Sequence, residues 1–311
     1  MRRAVLSLAF DLPDDIKRGL MEAASAEESP RAAQVLELLM ENARIASRDR
    51  VAICQDTGSV WVCLEVGPDV CVAGDVMADV DDAVGSAYVE GRLRMSIVCD
   101  ALFDRSNTES NTPAFCEIYP CARAGARLHV MLKGGGSDNA SRVVMLAPGA
   151  GRQGVVDTVV SCVREKAANA CPPLVVGVGV GSTFDKVAGL AKRALTRPLD
   201  EPAPDERTAR FERELLEAVN ATGLGAGALG GSTTALGVRV LTAPCHIAAL
   251  PVAVNMGCSA MRRGTYELKA LASSVKPLRS LVSERGGLVP FERADVHAAR
   301  RGPYPSSVRA R

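Results

Sequence analysis

Gln153–Ser182 reads QGVVDTVVSCVREKAANACPPLVVGVGVGS. In its first half Val156, Val159, Val160, Val163 and Ala167 recur at the three- and four-residue spacing of one helical face. Cys171-Pro172-Pro173 ends that helix, because a residue before proline is pushed out of the α region. LVVGVGV (174–180) is unbroken apolar sequence, which predicts a strand covered on both faces. Ser182 is then predicted to cap a helix carrying Val187, Leu190, Ala191, Ala194 and Leu195. Helix, hard stop, buried strand and helix again is the grammar of an α/β protein.

The flanking sequence keeps that grammar. The first fifty residues read as helical, with Ser29 as N-cap, Pro30 as first helical residue, and Val35, Leu36, Leu39, Met40 and Ala43 on one face. VWVCLEV (60–66) and DVCV (69–72) read as short β runs, and 75–92 as a helix. FCEIYP (115–120) and RLHVML (127–132) are predicted strands joined by a turn. The segment 195–207 reads as a loop, followed by a helix from about Arg207 to Ala221 that stops at Gly223. VRVLTA (238–243) and VAVNM (252–256) are strands flanking Cys245 and His246. The arginine-rich tail from Ala298 is expected to be poorly ordered. The fold class is therefore α/β, with mixed helices and sheets.

Composition narrows the function classes. A formal net charge of +1 argues against nucleic acid or an acidic membrane surface as the main partner. No eighteen-residue apolar run predicts a membrane span, and the N-terminus lacks the layout of a secretory signal. Ten scattered cysteines without a CxxC pair suit a reducing cytoplasm better than a disulfide scaffold.

Three cysteines sit beside polar residues at breaks in structure: Cys54-Gln55-Asp56-Thr57-Gly58, Cys171-Pro172-Pro173, and Cys258 ahead of Arg262 and Arg263. Each alone reads as a small core hydrophobe. Together, three thiolates can hold an iron–sulfur cluster and leave one iron open as a Lewis acid. Cys63, Cys71, Cys99, Cys116, Cys121, Cys162 and Cys245 read as core. Lys133-Gly134-Gly135-Gly136-Ser137-Asp138-Asn139 offers bare amides and an ammonium to an anion, but lacks the P-loop order. Gly225–Gly230 formally matches GxGxxG, yet follows a helix rather than a strand, and Gly177, Gly179 and Gly181 mark close backbone approach. Of the histidines, His129 reads as structural and His297 as solvated. His246 stands twelve residues before Cys258 and is open to either a core or a catalytic reading.

These segments resemble the class I iron–sulfur hydro-lyases, the oxygen-sensitive fumarases and L-tartrate dehydratases. The matching stretches are CQDTG (54–58), Asn111-Thr112-Pro113, KGGGS (133–137), Cys171-Pro172-Pro173, Gly223-Leu224-Gly225-Ala226 with Gly230-Gly231, and His246 through Cys258 to Arg262. They run in the family's order over roughly 10–270. The resemblance implies a cluster-binding fold and a [4Fe-4S] cluster held by Cys54, Cys171 and Cys258, one iron open to substrate. It also implies proton handling by Asp56 and His246, and binding of a small dicarboxylate by Gln55, Arg94 (in Leu93-Arg94-Met95-Ser96), Lys133, Gly134 and Gly135.

Two departures from the family pattern stand out. Single-chain members continue into a second domain, so this sequence is similar to the α subunit of the two-subunit form. A β subunit would then carry the rest of the site, in an α2β2 assembly. Asp138 also stands where a glutamate is expected. On this reading 1–275 is the catalytic domain and 276–311 a C-terminal extension with a poorly ordered tail. The expected reaction is fumarate hydration, with L-tartrate dehydration as the alternative. An iron–sulfur electron carrier, a nucleotide-dependent dehydrogenase and a non-catalytic metal-binding subunit are rivals from other classes. Widely spaced ligands beside acid–base groups, and the poor context of the GxGxxG match, disfavour the first two.

Overall fold

The structure, a computed structural model, describes residues 1–72 and 74–268. The C-terminal extension, its tail and His297 lie outside the described residues.

The helical start resolves into α1 (Arg2–Phe10), α2 (Asp14–Ala26) and α3 (Pro30–Asp49), with Ser29 and Pro30 opening α3 as their residue types predict. The chain continues through β1 (Ser59–Val66), α4 (Val76–Glu90), β2 (Phe115–Pro120), β3 (Ala126–Lys133), the one-turn α5 (Gly135–Asn139) and β4 (Arg142–Leu146). Then come α6 (Gly151–Lys166), β5 (Leu174–Ser182), α7 (Phe184–Ala194), α8 (Glu206–Asn220), β6 (Ala235–Cys245), β7 (Leu250–Gly257) and β8 (Arg262–Leu268). The mixed α/β class read from the sequence holds.

The strands form two four-stranded sheets, ordered β2-β1-β3-β8 and β4-β7-β5-β6. Two consecutive pairs, β2 with β3 and β6 with β7, are not adjacent in their sheets. β1 lies between β2 and β3, parallel to one and antiparallel to the other. β5 likewise separates β6 from β7.

Alternation along each strand sorts the cores. Val60, Val62, Val130 and Leu132 face α1 and α4 through Val5, Leu8, Val80, Val84 and Tyr88. Trp61, Cys63 and Met131, on the other face, join Leu20 of α2, Leu36 of α3 and Val175 of β5. In the second sheet Val176, Val178, Val240 and Val254 pack with Val159 and Val163 of α6 and Leu215 of α8. Gly177 and Gly179 take the opposite face, where α7 runs against the bare backbone. A Cβ at Gly177 would stand 2.2 Å from the Ala191 carbonyl oxygen, and one at Gly179 2.5 Å from that of Val187.

Local expectations needed correction in several places. DVCV (69–72) forms no strand, since it lies in the turn that returns the chain after β1. Thr183, not Ser182, is the N-cap of α7, because β5 runs through Ser182. β4 and β8 are short edge strands, β4 with an apolar run of only four residues and β8 rich in charge, and the sequence reading passed over both. Among the cysteines read as core, Cys63 and Cys162 are buried, whereas Cys71, Cys99 and Cys245 are exposed and Cys116 and Cys121 are half-buried.

Candidate active site

The CQDTG loop ends where β1 begins and is fixed from every side. Gly58 has φ +85°, and a Cβ there would lie 2.7 Å from the backbone of Lys133, so glycine lets the loop rest on the end of β3. The buried Tyr88 hydroxyl donates to the Gly58 carbonyl at 2.7 Å and reaches that of Thr57 at 3.2 Å. Asn111, fully buried, donates from Nδ2 to the same Gly58 oxygen at 3.1 Å and accepts from the Ser96 amide at 2.8 Å. Thr57 donates its hydroxyl to the Arg94 carbonyl. The Asn111-Thr112-Pro113 motif thus pins the Arg94 segment to the CQDTG loop. The guanidinium of Arg94 is exposed and takes part in no ion pair among the described residues.

Asp56 is held by backbone donors. Its Oδ1 accepts from Gly58 N at 3.1 Å, and its Oδ2 from Gly135 N at 2.7 Å. Gly134 is bare where a Cβ would come within 3.1 Å of Asp56 Oδ2. Gln55 is exposed beside it.

Lys133 points inward. It is 2% exposed, and its ammonium donates to the Met256 carbonyl and to Ser137 Oγ at 3.0 Å, with Asp138 Oδ1 at 3.6 Å. Burial pushes its pKa down to about 8, against the upward pull of Asp138 and Cys258. Asp138 also faces Lys192 at 3.5 Å, so the carboxylate standing in for the expected glutamate is fully engaged. The ammonium therefore bolts the glycine turn to β7, while the exposed face of that turn is Gly135 and Gly136.

Cys171 leaves the helix in the left-handed region, and its carbonyl accepts from Ser259 N at 3.0 Å. That bond ties the Cys171 turn to the residue after Cys258. Gly227 N donates to the Pro172 carbonyl at 2.9 Å, and a Cβ at Gly225 would stand 2.1 Å from the Gly230 oxygen. The GxGxxG stretch is thus a compact brace for the cysteine turn.

Cys54, Cys171 and Cys258 come within Coulombic reach of one another. Burial raises the Cys54 thiol, with Cys258 and Asp56 adding to the rise and Arg262 opposing it. Desolvation raises Cys171 as well, reinforced by Cys258, Cys54 and Asp56. Among the described residues, no three His, Cys, Asp or Glu side chains converge on the point that a single metal ion would occupy. A polynuclear cluster is bound through separate irons, which sets its thiolates further apart. The donor set fits one, since soft thiols converge from three segments beside a buried cation. That cation is Arg262, 1% exposed, whose Nη2 donates to the Asp56 carbonyl at 2.9 Å while Nε and Nη1 have no partner among the described residues. The sequence reading noted Arg262 without a role and passed over Tyr88.

His246 is not brought to this place. It lies in the exposed turn between β6 and β7, with Nδ1 accepting from Ala248 N at 3.1 Å. Cys171 precedes β5 and Cys258 follows β7, at the end where Val175 pairs with Gly257. His246 is at the other end, where Val180 pairs with Val252. β7 runs between the two, a span of about 23 Å at the usual strand rise. His129, by contrast, is buried in β3 with Nδ1 2.8 Å from Thr265 Oγ1, as a structural histidine.

Comparison with known proteins gives a class first: this α/β chain is a hydro-lyase, an enzyme that eliminates water by breaking a carbon–oxygen bond, or adds it across the resulting double bond. The chain belongs to the fumarate hydratase (Fumerase) family, whose sequence pattern matches residues 1–267. A protein of Methanocaldococcus jannaschii, provisionally named L(+)-tartrate dehydratase subunit alpha, is 35% identical over 267 residues, covering 84% of this chain and 93% of that protein. The L(+)-tartrate dehydratase subunit alpha of Escherichia coli strain K12 is 32% identical over 264 residues, covering 83% and 86%. No helix among the described residues is long and apolar enough to cross a membrane.

Proposed function

We propose that the chain is the cluster-bearing α subunit of a two-subunit [4Fe-4S] hydro-lyase acting on a small dicarboxylate, fumarate hydratase being the first reading. The observation that carries it is the convergence of Cys54, Cys171 and Cys258 beside the backbone-held carboxylate of Asp56. These cysteines would hold the cluster, which when bound supplies a Lewis acid for the substrate oxygen. Asp56, fixed by the Gly58 and Gly135 amides, is set to exchange a proton with the substrate or its water. Arg94, exposed and pinned beside the loop, would take the distal carboxylate by a bidentate pair, with Gln55 and the glycine turn at Gly134 and Gly135 completing the contacts. Lys133 acts indirectly, by holding that glycine turn. His246 can serve this site only if carried to it by another subunit, since one chain keeps it at the far end of β7.

The relatives' names favour the L-tartrate alternative and speak for a β partner, which would close the exposed side formed by Gln55, Arg94 and Cys171. A complex of two copies of each subunit in the cytoplasm accords with this reading, as does a catalytic domain of 1–275 with 276–311 as its extension. The test is an anaerobic assay of the chain, reconstituted with iron and sulfide, with and without the β subunit, on L-malate and L-tartrate. Turnover of L-malate only in the complex supports the first reading. Turnover of tartrate alone selects the alternative, and full activity of Cys171→Ser would sink the cluster assignment.

A further inference from the structure

We infer that Arg262 is a positioning residue for the thiolate-bound centre: its buried guanidinium holds the CQDTG loop through the Asp56 carbonyl and turns two unpartnered N–H groups toward the anion that Cys54, Cys171 and Cys258 assemble. The inference rests on the cluster reading above and concerns a residue to which that reading gives no part.

Arg262 heads the fully buried side chains by size, and it makes one hydrogen bond, Nη2 to the Asp56 oxygen. Its Nε and Nη1 have no partner, and it enters no ion pair among the described residues. Its neighbours differ. Arg263 is met by both oxygens of the buried Asp15, and Arg239 by the carbonyls of Pro198, Val238 and Leu199 with Glu212 at 3.8 Å. A buried guanidinium without a carboxylate is costly to keep. The fold nevertheless builds it into the start of β8, opposite Leu132, one residue before Lys133.

Its surroundings define the missing partner. The bond to the Asp56 carbonyl puts Arg262 two residues from Cys54, and Cys258 lies four residues back along its own chain. A Cβ at Gly134 would stand 3.8 Å from Nη2, so the glycine turn leaves this side open. Among the described residues no carboxylate comes within ion-pair distance of it, whereas the Cys54 thiol lies within its Coulombic reach, and Cys171 and Cys258 lie within that of Cys54. Thiolate-bound clusters are anionic centres tuned by hydrogen bonds and nearby charge. A fixed cation in hydrogen-bonding reach would retain the centre more tightly and raise its reduction potential.

The test compares wild type, Arg262→Met and Arg262→Lys in complex with the β subunit, before and after anaerobic reconstitution. Melting temperature before loading, iron and sulfide per chain, the rate of iron loss to a chelator, and the reduction potential followed by paramagnetic resonance are read for each. Arg262→Met should melt close to wild type before loading, because the uncompensated charge is gone, yet lose iron roughly tenfold faster and show a lower potential. Arg262→Lys should keep most of the potential but hold iron less well, because an ammonium cannot reproduce the planar fork. Arg262→Met with wild-type iron retention and potential overturns the inference. So does a loss of melting temperature that is the same before and after loading, which marks a purely structural arginine. Should Arg262→Met fail to fold, Arg262→Lys carries the test, and wild-type iron retention in it overturns the inference. A wild-type complex that takes up no iron overturns the cluster reading itself, a result distinct from wild-type loading matched by the variants.

Discussion

The carboxylate of Asp56 accepts a 2.7 Å hydrogen bond from the backbone amide of Gly135, joining two loops 79 residues apart. The bond explains why the turn is bare at Gly134: a side chain there would crowd the oxygen that the Gly135 amide holds. It also leaves the carboxylate fixed in orientation before any substrate arrives.

We predict that Asp56→Ala lowers kcat by about 10²–10⁴-fold, the usual worth of a positioned proton-transfer group. Stability should fall by only about 1–3 kcal/mol, from the backbone donors left unmet. Steady-state assay of the complex and urea unfolding of the chain check the two halves. A variant with near-normal kcat removes Asp56 from the chemistry.

Arg94→Ala should raise KM by roughly 10–100-fold, equivalent to a lost charge-assisted pair of about 1.5–3 kcal/mol. Asn111→Ala, at a fully buried side chain, should raise KM by a smaller factor and destabilise the fold by about 1–3 kcal/mol, since it frees the Ser96 and Gly58 anchors together. If Asn111→Ala destabilises without touching KM, the motif does not position Arg94.

Lys133 gives a signed pH dependence. Its pKa falls from 10.5 to about 8 on folding, so between those values the unfolded chain binds more protons. Stability should therefore rise with pH from about 8 toward 10.5, and the penalty for burying the charged form is fully present below 8. Urea unfolding of the cluster-free chain and of Lys133→Met across this range isolates the effect, as the variant should lack this rise. Equal slopes would show that the ammonium is not desolvated.

Asp15 and Arg263 join α2 to β8 in a buried pair. Burial raises the Asp15 pKa, but the Arg263 bond and charge and the Leu199 and Ile16 amides outweigh it and hold the carboxyl below its ordinary value. The pair's contribution is thus complete above pH 3.8 and is lost as pH falls through the lower folded pKa. Asp15→Asn should cost about 3–5 kcal/mol at neutral pH, because it strands a buried guanidinium. Denaturant titration reads it; a cost near zero would mean that Arg263 finds another partner.

Sequence alone determined most of the elements, though not the edge strands β4 and β8, and the chemistry-bearing loops. The 3.6-residue period of α6, the apolar run of β5 and the turn residues of CQDTG and KGGGS are local properties, expressed wherever the chain is placed. It also singled out Cys54, Cys171 and Cys258 against seven other cysteines, because each stands at a break beside polar residues. Strand pairing was not legible, since alternation tells which face a side chain takes but not which strand lies next to it. Only the tertiary structure put β1 between β2 and β3, and β5 between β6 and β7. That second choice decides the site. With β7 antiparallel to β5, Cys258 returns to Cys171, whereas His246, twelve residues earlier, is left at the opposite end of the sheet. Arg262 was hidden for the same reason: an arginine in a strand reads as a solvated edge residue until packing buries it beside the loop that it holds.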